Sequence, residues 1–505
     1  LGMVAALIAD KMRPGMILFS VVVLFLCAGI LTPKEMLEGF SNKGMITVAL
    51  LFLVSEGIRQ SGTLGQVIKK LLPQGKTTVF KAQLRILPSV AFISAFLNNT
   101  PVVVIFAPII KHWAKSVNLP ATKFLIPLSY VTILGGICTL IGTSTNLVVH
   151  GMILEAGFEG FSMFELGKVG IFIAIAGIIY IFLFSKRLLP DARPDTAVPD
   201  EEVEEGEKLH RVEAVLGARF PGINKKLKDF NFQRHYGAEV KEIKTRNGQR
   251  FVTNLDDVVL HEGDTLVVMA DDTFIPTWGE SSVFVLLTNG NEPDTTGKKK
   301  RWFALLLLVL MIVGATVGEL PITKEMFPDI KLDMFFFVSI TTIIMAWTNL
   351  FPARKYTKYI SWDILITIAC AFAISKAMVN SGVADSVAKF IIGLSDDYGP
   401  HVLLAMVFII TNLFTELITN NAAAALAFPL ALSISAQLGV SPTPFFVVIC
   451  MAASASFSTP IGYQTNLIVQ GIGNYKFTDF VRIGLPLNII TFLISIILIP
   501  LIWNF

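Results

Sequence analysis

Four short polar runs interrupt long apolar stretches of this chain: Asn98-Asn99-Thr100, Gly142-Thr143-Ser144-Thr145-Asn146, Thr419-Asn420-Asn421 and Gly462-Tyr463-Gln464-Thr465-Asn466. All four are uncharged and rich in small hydroxyl and amide groups. Unwound carbonyls together with Thr, Ser and Asn oxygens form a hard-oxygen cage, which suits Na+ better than a soft metal. Helices that begin at such runs aim free N–H groups and the positive ends of their dipoles into the space ahead, which favours an anion. A single polar residue of this kind more often caps a helix or joins two helices. Four runs in two matching pairs do not read that way. Charges inside apolar segments are expensive and mark function by default. Glu56, Arg59, Lys376 and Glu416 are the instances here. Glu416, three residues before Thr419, is placed to carry a coupling proton or to steady the run that follows. Lys376 is placed to neutralise an anion or to snorkel to an interface.

The elements that must hold these runs are membrane helices. The 505 residues are 53% hydrophobic with 41 basic and 38 acidic side chains, and 37 of those charges lie in residues 191–301. Two hydrophobic halves, 1–190 and 302–505, thus flank a charged module at 191–301. Spans of about 20 apolar residues are predicted at 15–32, 44–62, 122–149, 166–186, 302–319, 334–351, 361–380, 444–470 and 483–503. Segments 84–113 and 401–437 are too long for one span and are split by Asn98–Thr100 and Thr419–Asn421, so each reads as a re-entrant hairpin. Following the chain through this topology places 21 Lys and Arg on one face and 7 on the other. By the positive-inside rule the richer face, with the module, is cytoplasmic. The halves also repeat. At an offset of 320, Thr139, Gly142, Thr145-Asn146-Leu147 and Gly151 match Thr459, Gly462, Thr465-Asn466-Leu467 and Gly471, and an offset of 321 sets Asn98-Asn99-Thr100 on Thr419-Asn420-Asn421. The hairpins open to opposite sides, so the repeats are inverted, an architecture of secondary transporters with sites on broken helices at mid-membrane.

At these residues the sequence resembles the divalent-anion/sodium symporter family, the sodium–sulfate and sodium–dicarboxylate carriers, including citrate-transporter-like members. The family carries a Ser-Asn-Thr motif at each hairpin tip. Asn98-Asn99-Thr100 and Thr419-Asn420-Asn421 stand in those places, with Asn and Thr replacing the two Ser and Asn421 the final Thr. The resemblance implies substrate contacts from Asn98, Asn99, Thr100, Thr419, Asn420 and Asn421. It implies two sodium sites from Asn99, Gly142, Thr143, Ser144, Thr145 and Asn146, and from Asn420, Gly462, Thr465 and Asn466. It further implies an elevator-type motion on a homodimeric scaffold. Residues 208–276 resemble a TrkA C-terminal (RCK-C) domain that senses an unknown small ligand. Alternating apolar residues around an Asn-Gly turn fit a small α+β domain there.

The expected fold is an α-helical polytopic membrane protein of two inverted repeats, each with a re-entrant hairpin and a broken helix, and a small α+β cytoplasmic domain between them. The expected activity is Na+-coupled symport of a small divalent anion, sulfate first, in the bacterial inner (plasma) membrane. The alternatives are a dicarboxylate or citrate carrier, H+-coupled through Glu416, and an RCK-regulated cation channel, for which no selectivity-filter motif is found. No catalytic residues, cofactor or nucleic-acid partner are expected: the six His are scattered and the net charge is +3. Cys27, Cys138, Cys370 and Cys450 lie in apolar stretches without paired spacing and are expected to be buried thiols.

Overall fold

A computed structural model describes residues 2–9, 12, 14–191, 210–217, 220–245, 249–271, 274–278, 283–288, 298–327, 330–393 and 399–505. The principal helices of the first half are α1 (Pro14–Cys27), α2 (Lys43–Gln60), α3 (Val79–Ser94), α4 (Asn99–Ser116), α5 (Leu125–Gly136), α6 (Ser144–Glu155) and α7 (Gly167–Leu188). The second half contributes α8 (Lys298–Gly318), α9 (Met334–Trp347), α10 (Trp362–Asn380), α11 (Gly399–Leu417), α12 (Asn420–Leu438), α13 (Thr443–Ser454), α14 (Gln464–Gly473) and α15 (Phe477–Ile502). Seven helices among the described residues are long and apolar enough to cross a membrane, and four more are apolar but shorter. With polar breaks between them, they make the chain a multi-pass membrane protein.

Predicted spans 122–149 and 444–470 are each a pair of short helices, α5/α6 and α13/α14, separated where the polar runs fall. Span 15–32 stops at Cys27 because Gly29 turns left-handed (φ +71°) and Thr32 starts the next short helix with a capping box to Glu35. The two hairpins are α3/α4 and α11/α12. Each limb of the second is 19 residues, about 28 Å at 1.5 Å per residue, so its limbs are longer than the half-helices the sequence suggests. Pro88, Pro108 and Pro429 sit inside hairpin helices, tolerable where neighbouring helices re-satisfy the freed carbonyls.

One hydrophobic cluster runs through both halves, with Phe106, Phe124, Phe408, Phe445 and Phe457 fully buried. Large apolar side chains are left outside it, among them Phe92, Ile343, Ile497 and Leu501 at 60–74% exposure, as a lipid-facing surface requires. Cys370 and Cys450 are buried thiols. Cys27 is exposed and Cys138 half-buried, against expectation, and Cys27 lies at the open end of α1.

The module folds around its own aromatic core of Phe220, Phe230, Phe232, Tyr236 and Phe284. Its strands are β1 (His210–Leu216), β2 (Glu239–Lys244), β3 (Arg250–Phe251), β4 (Thr265–Ala270) and β5 (Phe284–Thr288), all antiparallel in the order β3-β2-β4-β1-β5. The acidic run 201–207 and residues 289–297 lie outside the described residues.

Candidate functional site

The two tips and the two breaks meet in one place. In the first half, Thr139 Oγ1 donates to the Ala95 carbonyl, Gly142 N–H donates to Thr139 Oγ1 at 3.1 Å, and Asn146 Nδ2 donates to Thr139 O at 2.9 Å. In the second half, Thr459 Oγ1 donates to the Glu416 carbonyl at 3.0 Å and Asn466 Nδ2 to Thr459 O at 3.2 Å. These are the same bonds at the offsets read from the sequence. Ser94 Oγ lies 2.8 Å from the Asn99 amide, and Thr415 Oγ1 lies 2.8 Å from Asn420 Oδ1. Each tip asparagine is thus held by a hydroxyl one turn back on its own hairpin.

Close approach of backbones shapes both breaks. A Cβ on Gly142 would lie 2.5 Å from Gly136 O and 3.0 Å from Ala95 O. A Cβ on Gly462 would run into Thr415 O and Ser456 Oγ, the positions equivalent to Ser94 and Gly136. Only glycine admits this approach.

The halves then cross over. Helix α14 packs on α4, and α6 packs on α12. Thr100 Oγ1 donates to Gln464 Oε1 at 3.2 Å, and at the matching positions Ser144 Oγ donates to Asn421 Oδ1 at 3.3 Å. Thr145 Oγ1 also donates to Asn421 Oδ1, at 3.2 Å. The Tyr463 hydroxyl lies at the centre, 2.5 Å from the Asn99 amide and 3.0 Å from Thr143 Oγ1, with Asn420 as a further partner. The Asn99 amide satisfies every neighbour when Oδ1 accepts from Tyr463 and Nδ2 faces Ser94 Oγ, Thr132 O and Gly142 O. Ser129 Oγ ties Thr465 Oγ1 (2.9 Å) and Asn466 Oδ1 (2.7 Å) to the first half.

Four helix N-termini therefore converge here, at Asn99, Ser144, Asn420 and Gln464. Their free N–H groups and dipoles form an electropositive focus built without a cationic side chain. Around it lie neutral oxygens, several short of a partner: Asn146 Oδ1, Thr419 Oγ1 and Ser454 Oγ are buried with none. Buried oxygens with no donor are what a hard cation takes up. A narrow cleft with room for little more than one water reaches the first tip, lined by Ser55, Asn98 and Ser144 among apolar side chains of α2 and α8.

The structure brings together Asn98, Asn99, Thr100, Gly142 to Asn146, Thr419 to Asn421, Gly462, Thr465 and Asn466. It leaves Lys376 out: that side chain is exposed. Glu56 pairs with Arg59 at 2.7 Å. Glu416 adjoins the second break, accepting from Ser458 N–H at 2.9 Å. Sequence reading missed Tyr463, Gln464, Ser94, Thr415 and Ser129. Tyr463 and Gln464 stood inside a recognised run, and the offset that pairs Ser94 with Thr415 was already in hand.

The module is joined to these same elements. Lys111 of α4 donates to both carboxylate oxygens of Glu213 of β1, at 2.9 and 3.0 Å, and Lys244 stands 3.6 Å away. Burial pushes the Glu213 carboxyl up, but Lys111 and Lys244 outweigh it and hold it at about 2. Gly263 and Thr265 pack against Leu467 and Gly471 of α14.

A citrate transporter family model matches residues 4–433 and 330–504. An uncharacterized transporter of Synechocystis sp. is 30% identical over 96% of this chain and 93% of its own. A putative sulfur deprivation response regulator of Chlamydomonas reinhardtii is 28% identical over 95% of this chain and 96% of its own. A probable sodium/sulfate cotransporter 3 of the same alga is 23% identical over 95% of this chain and 85% of its own. Matches that run through both hydrophobic halves show that the chain belongs to the citrate transporter family and is a transporter rather than an enzyme.

Proposed function

We propose that the protein is a Na+-coupled symporter of a small divalent anion, sulfate first. The observation that carries this reading is the pairing of two neutral oxygen cages with four convergent helix N-termini. Asn146 Oδ1 is fully buried and unpartnered in the first cage, and Thr419 Oγ1 is unpartnered at the second tip. Asn99, Gly142 to Asn146, Asn420, Gly462, Thr465 and Asn466 would hold Na+. Asn98 to Thr100 and Thr419 to Asn421 would face the anion. A doubly charged anion needs compensating charge in an apolar surround, and bound Na+ supplies it where no Lys or Arg stands. The similarity to the algal probable sodium/sulfate cotransporter 3 supports the same reading.

The matching bonds of the two halves fit inverted repeats. In an elevator-type motion the tips and breaks would travel together against α1, α8 and α9 in a homodimeric scaffold. The module would hang in the cytoplasm of a bacterial cell, as an RCK-C-like domain answering to a small ligand. Its contacts with α4 and α14 support a regulatory role, because both helices begin at the site. A citrate or dicarboxylate substrate is the second reading, favoured by membership of the citrate transporter family.

Uptake of radiolabelled sulfate, succinate and citrate into proteoliposomes, with and without an inward Na+ gradient, decides among these. Sulfate uptake that requires Na+ is expected. Uptake indifferent to Na+ would overturn the coupling, and succinate or citrate uptake without sulfate uptake would replace the substrate.

A further inference from the structure

We propose that Glu416, together with Asn488 of α15, is a proton-binding site of the second half that has no counterpart in the first. It extends the transport reading above, and it holds whichever anion is carried.

Glu416 ends α11 one turn before the tip. Its Oε1 accepts from Ser458 N–H at 2.9 Å and from Asn488 Nδ2 at 2.6 Å. The second N–H of Asn488 donates to Ser458 Oγ at 2.8 Å. Both amide hydrogens are therefore used, and the orientation of Asn488 is set. The other oxygen of each side chain, Glu416 Oε2 and Asn488 Oδ1, is buried with no partner. Two oxygens on side chains already joined by one hydrogen bond are short of a single hydrogen. A proton on Oε2 supplies it and turns the contact into a carboxylic acid–amide pair. It also removes an uncompensated charge from an apolar surround, where that charge is costly.

No Lys, Arg or His among the described residues pairs with Glu416. Helix α11 packs on α12, α13 and α15. The first of these has no titratable group, the second has buried Cys450, and the third has Asp479 and Arg482 near its start, six or more residues before Asn488. Tyr130 of the first half also faces Glu416. Its hydroxyl is engaged with the Phe457 carbonyl at 2.5 Å.

The site is wired to the second break. Ser458 hangs from the carboxylate and Thr459 from the Glu416 carbonyl. The equivalent first-half position is Ala95, whose carbonyl receives Thr139 in the same way. The backbone half of the device is thus repeated and the carboxyl half is not. Protonation takes one negative charge away from beside the second tip, so anion binding there should strengthen as pH falls.

Infrared difference spectra of the purified full-length protein between alkaline and acid pH test this without any transported substrate. The expected result is a carboxylic-acid carbonyl band that appears on acidification, is lost in Glu416→Gln and is shifted in Asn488→Leu. Glu416→Gln keeps an acceptor for Ser458 and Asn488, so it should fold. Asn488→Leu leaves the carboxyl in place and tests the pair if the first variant does not fold. In proteoliposomes, the acid-to-alkaline ratio of anion uptake should fall several-fold towards unity in Glu416→Gln. No acid band in the folded wild type, as Na+ bound at an ionised Glu416 would give, overturns the proposal. So does a band unchanged in Glu416→Gln, or one that does not titrate.

Discussion

Replacing Tyr463 with Phe removes one oxygen from the point where the halves meet. The ring is buried and the change is isosteric, so packing is kept and only the hydroxyl is lost. Three partners are left short, the Asn99 amide (2.5 Å), Thr143 Oγ1 (3.0 Å) and the Asn420 side chain. A buried polar group without its partner costs about 1–3 kcal/mol. The Thr143 hydroxyl can rotate elsewhere and the Asn420 side chain keeps Thr415, so the whole effect should be on the order of 1–3 kcal/mol rather than a multiple of that. At 1.4 kcal/mol per decade this is about a 5- to 150-fold change in an equilibrium constant. If Tyr463 aligns Asn99 for Na+, the cost falls on the occupied cage, and the Na+ concentration for half-maximal anion uptake should rise by such a factor. If Tyr463 is only structural, the cost falls equally with and without Na+ and lowers the melting temperature by the same amount in Na+ and in choline. Na+ titrations of uptake and melting in the two salts separate these cases. Wild-type Na+ activation with wild-type melting would refute the reasoning.

Gly142→Ala and Gly462→Ala should each abolish uptake, because the added methyl meets backbone carbonyls beside the tips and overpacking costs about 1–3 kcal/mol. Gly393→Ala, where a methyl meets open space, should leave uptake unchanged in the same assay. Lys111→Glu should loosen the module from α4, read as faster protease cleavage of the flanking linkers, and Lys111→Glu combined with Glu213→Lys should restore protection. The Glu213 carboxyl is held near 2 in the folded protein against an ordinary value of 4.5. The docking it contributes is therefore fully present above about pH 4.5 and lost as pH falls from there towards 2. Protection from protease should accordingly be flat between pH 8 and 5.

Much of the site was legible because membranes make polar residues conspicuous. Asn98-Asn99-Thr100 and Thr419-Asn420-Asn421 stand out inside apolar segments, and the 320–321 offset predicts which bonds recur. What the offset does not carry is the crossing of the halves. Asn99 meets Tyr463 across 364 positions and Thr145 meets Asn421 across 276, contacts that follow from α14 lying on α4 and α6 on α12. Nothing within its own run marks Tyr463, because its partners Asn99 and Thr143 lie in the other half. The Lys111–Glu213 pair is equally invisible in the sequence, since its members lie 102 positions apart on elements of separate hydrophobic clusters. Lys376 could be read as facing an anion or as snorkelling to an interface, and its exposed side chain fits the second. Helix lengths were read less well, because left-handed residues such as Gly29 and Asn349 (φ +51°) end helices inside apolar runs.

Calorimetry of sulfate binding to the purified protein, in NaCl and with Na+ wholly replaced by choline, tests Na+-coupled anion binding most directly. The two ligands share one constellation of tips and breaks, so each should raise the affinity of the other by the same factor. Sulfate should bind in NaCl, bind weakly or undetectably in choline, and raise Na+ affinity by the factor by which Na+ raises its own. Sulfate binding of equal strength in choline would contradict the coupling on which the proposed symport rests.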